Sequence, residues 1–268
     1  MIGILLALGA LMAGTLIEGG SPAAYLNPSA IIIIFGGTFG ATIASFSMAE
    51  FKCFPKLFKL AIKTRPSHAA EMRNLLVTFA ERARREGLLA LEADVDQVED
   101  RFLRKGLQMM IDGLEPDVVE EILELDTEAM VRRHGGGVAL FATMGGYAPT
   151  MGVIGTVMGL VNVLGHLDDP STLGGSIAVA FIATLIGVGS ANIVWLPVSN
   201  ALKVHSAQEV AERRLAMTGI LAIQAGDNPR IVAQKLDSFG VTPPAEGTGT
   251  GAAAAGAAGS ARPAEEAA

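Results

Sequence analysis

Two long stretches of the chain carry almost no charged residue. The stretch from Met1 to Phe51 contains no Lys or Arg, and its only acids are Glu18 and Glu50. The stretch 135–202 also lacks Lys and Arg, and its only acids are Asp168 and Asp169. A helix needs about 20 predominantly apolar residues to cross a bilayer. Each stretch is therefore long enough for two membrane-spanning helices.

A polar break divides each stretch into two and predicts a hairpin. Glu18-Gly-Gly-Ser-Pro and Asn27-Pro28 interrupt the first stretch, and His166-Leu-Asp-Asp-Pro interrupts the second. The four predicted spans are Ile2–Ile17, Ser29–Ala49, Val138–Gly165 and Gly174–Leu202. A soluble core of buried helices is the alternative, but uncharged runs of this length leave no face for water.

The predicted fold is an all-α integral membrane protein with four transmembrane helices and a helical cytoplasmic domain between the second and third. The first transmembrane hairpin takes residues 1–49, the cytoplasmic domain 50–137 and the second hairpin 138–202. Cytoplasmic C-terminal helices take residues 203–240, and a tail rich in Ala, Gly and Pro takes 241–268. Such a tail cannot bury enough apolar surface to fold, so it is expected to be disordered.

The basic residues predict the orientation. Of the 20 Lys and Arg, 14 lie between Lys52 and Arg133 and six between Lys203 and Arg262. Basic residues stay on the cytoplasmic side, so the loop 50–137 and the C-terminal segment are expected there and both hairpin tips outside. Trp195, near the cytoplasmic end of the fourth span, is expected at the membrane interface, where amphipathic rings are common.

Helical periodicity fills the charged segments. Ala69–Arg85 has apolar residues at spacings of three and four, and Leu103–Ile111 continues the pattern. Glu115-Pro116-Asp117 is typical of a helix start. A charged amphipathic helix is expected over 203–225, and Asp227-Asn228-Pro229 predicts the start of a short helix ending near Leu236.

The four predicted spans contain no Asp, Glu, Lys, Arg or His at mid-membrane depth. Ionisable groups at that depth mark proton relays and substrate sites. The polar groups present are hydroxyls and amides, including Thr156 and Thr184. If the chain conducts ions, a partner must therefore supply the carboxylate. The single cysteine, Cys53, excludes a disulfide framework and a multi-thiolate metal site. No cofactor, metal site or nucleic-acid partner is expected.

Small residues and prolines mark the third and fourth spans. Gly152, Gly155 and Gly159 form a surface that admits close helix approach, with Thr156 beside it. Pro149 and Pro197 are expected near the cytoplasmic ends of their helices, at matching depths. Each removes a backbone hydrogen bond and permits a bend. Simple kinks and joints that transmit motion both remain open.

Several motifs together resemble a known family. They are Ala148-Pro-Thr-Met-Gly-Val-Ile-Gly-Thr-Val-Met-Gly-Leu, Ala178-Val-Ala-Phe-Ile-Ala-Thr-Leu, Trp195-Leu-Pro, Arg84-Arg-Glu-Gly-Leu-Leu-Ala-Leu-Glu and Gly226-Asp-Asn-Pro-Arg-Ile-Val. With four spans and a large loop between the second and third, the chain resembles the MotA/PomA flagellar stator subunits of the MotA/TolQ/ExbB superfamily. The resemblance covers about residues 1–240.

The resemblance implies a pentameric ring of this chain in the bacterial inner membrane, around a dimer of the single-span MotB/PomB subunit. The partner's aspartate would bind the ion, and the loop would push on the rotor protein FliG. Three sets of residues match family positions: Arg84, Arg85 and Glu92 for rotor contact, Pro149 and Pro197 for torque transmission, and Thr156, Thr184 and Ala183 for the ion path. An ordinary solvated helix face is the alternative for the charged set.

The same resemblance bears on ion identity. Sodium-driven members tend to carry two adjacent threonines in the fourth helix, which could give oxygen ligands to a hard cation. Here the pair is Ala183-Thr184, as in proton-driven members. We therefore expect protons rather than sodium.

Three other classes compete with this interpretation. An ExbB/TolQ-type energy transducer is the nearest, but that family usually has three spans. A solute transporter would need a binding site within the chain, and none is visible. An intramembrane enzyme would need a His cluster, paired acids or a Ser-Lys arrangement, so no enzymatic activity and no catalytic residues are expected.

Overall fold

The computed structural model describes residues 2–63, 66–165 and 170–240, and these residues form helices and turns without a β-strand. The helices are α1 Ile2–Ile17, α2 Pro28–Ser45, α3 Met48–Lys52, α4 Phe54–Ile62, α5 Ala69–Glu86, α6 Glu92–Val95, α7 Arg101–Ile111, α8 Pro116–Leu164, α9 Pro170–Ser190, α10 Leu196–Gln224 and α11 Pro229–Asp237. Short 3₁₀ helices cover Pro22–Tyr25 and Leu88–Leu91. The all-α prediction is confirmed for these residues, whereas the predicted tail and residues 166–169 of the second hairpin tip lie outside them.

Three described helices are long and apolar enough to cross a membrane. They cover Pro28–Ser45, Pro116–Leu164 and Leu173–Gln224. Ile2–Ile17 is as apolar as predicted but has 16 residues, about 24 Å of helix, and the chain turns after it through Gly19, whose φ is +75°. At most 28% of each long apolar window is buried. Exposed apolar surface on this scale is covered by lipid or by other chains.

The two longest helices run through the predicted domain boundaries. α8 has 49 residues and passes residue 137 unbroken. α9 and α10 are joined through a π-helical segment, Ala191–Trp195, and pass residue 202. Three consecutive glycines, 135–137, remain helical in α8 although glycine disfavours helix. A methyl group on Gly137 would lie 2.9 Å from the Leu57 Cδ1, so α4 packs tightly there.

The charged half of the molecule is a compact helical domain. We call it the charged domain: α5, α6, α7, the first turns of α8, the last turns of α10, and α11. Its core buries the predicted faces of α5 and α7, among them Leu76, Phe79 and Leu107, together with Leu123 and Ile220. The predicted starts of α8 at Pro116 and of α11 at Pro229 are confirmed.

Pro197 explains why the helix widens just before it. A proline ring collides with the carbonyl four residues earlier, here Ile193, and offers no N–H to it. The π-helical segment Ala191–Trp195 contains that residue and relieves the conflict with a wider turn. A second π-helical segment, Ile32–Gly36, interrupts α2 opposite it. Neither segment was predicted from the sequence.

An aromatic cluster joins these segments to α4. Trp195 is 5% exposed, and its ring meets Phe35 at 6.3 Å and Phe39 at 5.9 Å, edge to face. Phe54 of α4 stacks on Phe141 of α8 at 5.1 Å. The expected level of Trp195 at the membrane interface stays a prediction, but its ring is buried in the protein and not exposed at the surface. Three phenylalanines surround it instead, because α4 folds back over the ends of α2, α8 and α10.

Small residues line the contact between α8 and α9, as predicted for Gly152, Gly155 and Gly159. A methyl group on Gly155 would lie 2.9 Å from the Ala183 Cβ, and one on Gly159 would lie 2.7 Å from the Ala180 Cβ. The closest backbone approach involves Gly187, whose added methyl group would lie 2.9 Å from the Gly152 Cα. We call this contact the small-residue seam.

Gly187→Ala should open the seam. The new methyl group would lie 2.6 Å from the Ala148 carbonyl oxygen, and this is backbone that cannot rotate away. We expect a loss of stability of about 1–3 kcal/mol, the usual range for overpacking, measured as a lower Tm of the purified chain in mild detergent. Gly189→Ala is the matched control, since nothing lies within 4 Å of its new methyl group. Equal Tm values for the two variants would contradict the seam.

Candidate functional site

The seam brings two predicted hydroxyls together. Thr156 Oγ1 and Thr184 Oγ1 form a direct hydrogen bond between α8 and α9. Thr156 Oγ1 also lies 3.0 Å from the carbonyl oxygens of Gly152 and Ala180, and Thr184 Oγ1 lies 3.4 Å from the Gly152 oxygen. We call these four oxygens the oxygen cluster.

The oxygen cluster has more acceptors than donors. Its two hydroxyls carry one hydrogen each, and the two carbonyls carry none. If one hydroxyl donates to the other, a single hydrogen is left for two carbonyl oxygens. The carbonyls also accept N–H groups of their own helices, so the oxygen cluster is a polar spot between two apolar helices that can hydrogen-bond to a further polar group. Ala183, predicted beside this pair, is 3% exposed and packs against Gly155, so it adds no polar atom.

A groove with a polar lining lies next to the oxygen cluster. It has a volume of about 380 Å³ and is bounded by α2, α8 and α9. Its polar side chains are those of Ser29, Asn162 and Ser176, and Ala180 and Ala183 line it on the α9 side. The sequence did not indicate that Ser29 lines this groove, because its place there depends on how α2 packs against α9.

The two predicted proline joints meet their neighbouring helix at positions about one turn apart along α8. Ala148, just before Pro149, packs its carbonyl against Gly187. Leu196, just before Pro197, packs on Gly145, about one helical turn nearer the N-terminus of α8 than Ala148. Their local structures also differ, since Pro149 lies inside the unbroken helix α8 and Pro197 follows the π-helical segment.

The three predicted charged residues are all exposed on the charged domain. Arg84 and Arg85 lie in the last turn of α5, and Glu92 begins α6. Between them the chain turns at Gly87, whose φ of +87° favours glycine. Leu89, in the same turn, is 73% exposed. We call residues 84–92 the exposed turn; the sequence missed Leu89, since periodicity does not tell which leucine of Leu88-Leu89 faces solvent.

Arg82 braces the exposed turn. Its guanidinium donates to the Glu86 carboxylate at 3.0 Å and to the Asp94 carboxylate on the far side of the turn. The pKa of the Arg82 guanidinium is raised, mainly by its hydrogen bond to Glu86 and next by its hydrogen bond to Asp94. Electrostatic attraction to Asp94 adds to the effect. We call these two ion pairs of Arg82 the Arg82 bracket. It joins α5 to α6 and holds the two ends of the exposed turn together.

Family comparisons cover nearly all of the described residues. Residues 94–215 match the MotA/TolQ/ExbB proton channel family, and residues 1–87 match the Motility protein A N-terminal family. Motility protein A of Bacillus subtilis strain 168 is 41% identical over 237 residues, which cover 88% of each chain.

Solved structures agree with the sequence comparison. The flagellar MotAB stator complex from Bacillus subtilis contains a similar chain, with a TM-score of 0.83 and 42% identity over 88% of this chain and 92% of that one. The C. jejuni MotAB structure gives a TM-score of 0.85 and 30% identity over 89% of this chain and 93% of that one.

Proposed function

The chain belongs to the MotA/TolQ/ExbB proton channel family, and we propose that it is the ion-conducting stator subunit of the bacterial flagellar motor. In this role it couples inward ion flow to torque on the rotor. The family also contains ExbB/TolQ-type energy transducers. The match of residues 1–87 to the Motility protein A N-terminal family favours the motor.

In the proposed topology four helices cross the inner membrane. α1 and α2 form one hairpin, and the apolar parts of α8 and of α9–α10 form the other. The 20 basic residues lie outside the two charge-poor stretches, which supports a cytoplasmic position for the charged domain and the C-terminus. α1 crosses with 16 helical residues, a length that a locally thinned bilayer accommodates at modest cost.

One observation carries the proposal of a partner: among the described residues of the charge-poor stretches, no Asp, Glu, Lys, Arg or His lies within hydrogen-bonding distance of the oxygen cluster. Thr156 and Thr184 can hydrogen-bond to a proton carrier or hydrated ion, but a hydroxyl does not titrate near neutral pH. A carboxylate from a MotB-like single-span subunit would supply the titrating group. Apolar faces of α8 exposed at Val153, Val157 and Val161 leave room for the partner and for neighbouring copies in a pentameric ring.

Ion passage would act on the charged domain through continuous helices. α8 joins the oxygen cluster to the core of the charged domain without a break, and α10 does so after Pro197. Protonation of the partner's carboxylate would change its attraction to the oxygen cluster and shift the seam helices. Pro149 and Pro197 would be the points at which that shift bends the helices. The exposed turn would then deliver force to FliG.

Protons are the proposed ion. Ala183 holds the position where a second threonine oxygen would sit, and its Cβ packs against Gly155. The oxygen cluster therefore lacks the second adjacent threonine hydroxyl that could give a further oxygen ligand to a hard cation.

Swimming speed should therefore be independent of external sodium. In a motile host whose own stator genes are removed, this chain and its partner should give the same speed when potassium replaces sodium at fixed pH and membrane potential. Speed should fall when a protonophore collapses the proton gradient at constant sodium. A swimming speed that rises and falls with external sodium at fixed pH would contradict the proton assignment.

Charge reversal in the exposed turn should abolish or strongly reduce swimming without loss of assembly. Arg84→Glu and Glu92→Lys each place the wrong charge opposite a complementary rotor surface, where like-charge contacts cost several kcal/mol. Membrane abundance and co-purification with the partner should stay at the unsubstituted level, because both side chains are exposed.

Arg132→Glu is the matched control for these reversals. Arg132 is an exposed arginine of α8 for which the structure gives no ion pair among the described residues. Its reversal should leave most swimming speed. If Arg84→Glu and Glu92→Lys swim as well as Arg132→Glu, the turn is an ordinary solvated surface.

A further inference from the structure

We propose that α4 and the groove beside it form a binding site for an anionic phospholipid of the cytoplasmic leaflet. The proposal rests on the topology given under the proposed function. It begins with four lysines, Lys52, Lys56, Lys59 and Lys63, which recur at intervals of four, three and four residues. Cys53, between α3 and α4, keeps a helical backbone, and Leu57 N–H bonds its carbonyl at 2.9 Å. Lys52, Lys56 and Lys59 therefore lie along one face of a continuous helical segment, and Lys63 follows directly after the end of α4, where the backbone is extended.

The opposite face of α4 is anchored in the protein. Phe54, Leu57, Phe58 and Ala61 pack against the cluster that contains Trp195, at the ends of the apolar parts of α8 and α10. Their positions are half a turn from the lysines. Two further apolar side chains, Leu60 and Ile62, are 45% and 37% exposed. An amphipathic helix with a basic face that is held at the ends of the apolar helices lies in the membrane interface.

The lysines have no partner within the described protein. All four are exposed, and the structure gives none of them an ion pair. The sequence contains no acid between Glu50 and Glu71, so no nearby carboxylate on this segment neutralises them. Four unpaired ammonium groups, along α4 and directly after it, attract anionic headgroups. Each one adds its own share to the binding free energy.

An apolar groove begins where the lysine face ends. It has a volume of about 430 Å³ and runs between α1, α4 and the segment around Pro197. Phe58, Ala61 and Ile62 form its α4 wall, and Asn192 gives its only polar side chain among the described lining residues. The volume and apolar lining of the groove suit part of an acyl chain, and Lys59 on α4, with Lys63 directly after its end, lies close enough in the chain to hold the phosphate. Lysine stems reach along apolar surface while their ammonium groups stay polar.

This combination favours lipid over a second copy of the chain as the occupant. A neighbouring copy would have to place acids against the lysines, and the apolar helices that would fill the groove have none at that depth. An anionic phospholipid offers a negative headgroup for the lysines and an acyl chain for the groove in one molecule. Because Pro197 lines the groove, the bound lipid would touch one of the two proposed joints.

Trp195, the only tryptophan, makes the site measurable. Its ring packs in the aromatic cluster with Phe54 and Phe58 of α4. Val194 and Val198, near it in the chain, line the groove. The full chain is reconstituted in vesicles that mix phosphatidylglycerol with phosphatidylcholine, with brominated acyl chains on one lipid at a time. Brominated phosphatidylglycerol should quench Trp195 several-fold more effectively than brominated phosphatidylcholine at equal fraction, and the preference should weaken as salt rises.

Lys56→Gln/Lys59→Gln should lower that preference by about five-fold for each lysine removed. The matched control, Lys105→Gln/Lys235→Gln, removes two charges in the charged domain, where both lysines pair with aspartates, and should leave the preference unchanged. An unchanged Trp195 emission maximum in unbrominated vesicles shows that the aromatic cluster is intact in each variant.

Equal quenching by the two lipids would overturn the proposal. So would the same preference in Lys56→Gln/Lys59→Gln, or protection of Trp195 from both lipids, since that would place a second copy in the groove. The readout needs neither the partner nor ion flow, so its failure leaves the stator function standing. Failure of the swimming experiments would in turn leave the lipid preference intact.

Discussion

The backbones of α8 and α9 approach each other most closely at Gly152 and Gly187, and the rest of the apolar half follows from that approach. Helices surrounded by lipid gain little from burying apolar side chains, so close packing and hydrogen bonds must hold them together. Glycines and alanines at the seam let the Thr156 hydroxyl reach the carbonyl of Ala180 on the other helix. A larger side chain at Gly152 or Gly187 would separate the two threonines. Packing and candidate ion chemistry therefore depend on the same few residues.

The seam is tied to the charged domain by the helices that form it. α8 continues from the seam through three helical glycines into a core that contains Leu123. α10 continues from the π-helical segment to Ile220 in the same core. A small shift at the seam would therefore reach the charged domain through continuous helical backbone, bent or widened only at Pro149 and before Pro197. The Arg82 bracket then holds the exposed turn in a defined position on that domain.

Much of this architecture could be predicted, because it depends on local composition. Long uncharged stretches give apolar helices, periodic leucines give the core of the charged domain, and Gly152, Gly155 and Gly159 give a small-residue contact. The hydrogen bond between Thr156 and Thr184 could not be predicted from residue types and spacing, since it depends on the register of α8 against α9. The family resemblance assigned both residues to the ion path but did not predict this hydrogen bond.

Other features escaped prediction for related reasons. The inward position of Trp195 depends on α4 folding back over the helix ends, and the π-helical segments depend on how Pro197 is accommodated. The different positions at which Pro149 and Pro197 meet their neighbouring helix reflect the same register that joins the threonines. The sequence pattern gave no indication that Leu89 is the exposed leucine of the turn, as it is in the structure. For Trp195 and for the two prolines, the deciding contacts join residues far apart in the chain.

The central claim is that this chain shapes an ion path but lacks the titrating group, which a MotB-like partner must bring. Proton flux into vesicles tests it most directly, with the full chain reconstituted alone, with its partner, and with a partner whose membrane aspartate is replaced by asparagine. The account predicts flux only with the unsubstituted partner, at matched levels of this chain. Flux through the chain alone, or equal flux with the asparagine variant, would contradict it.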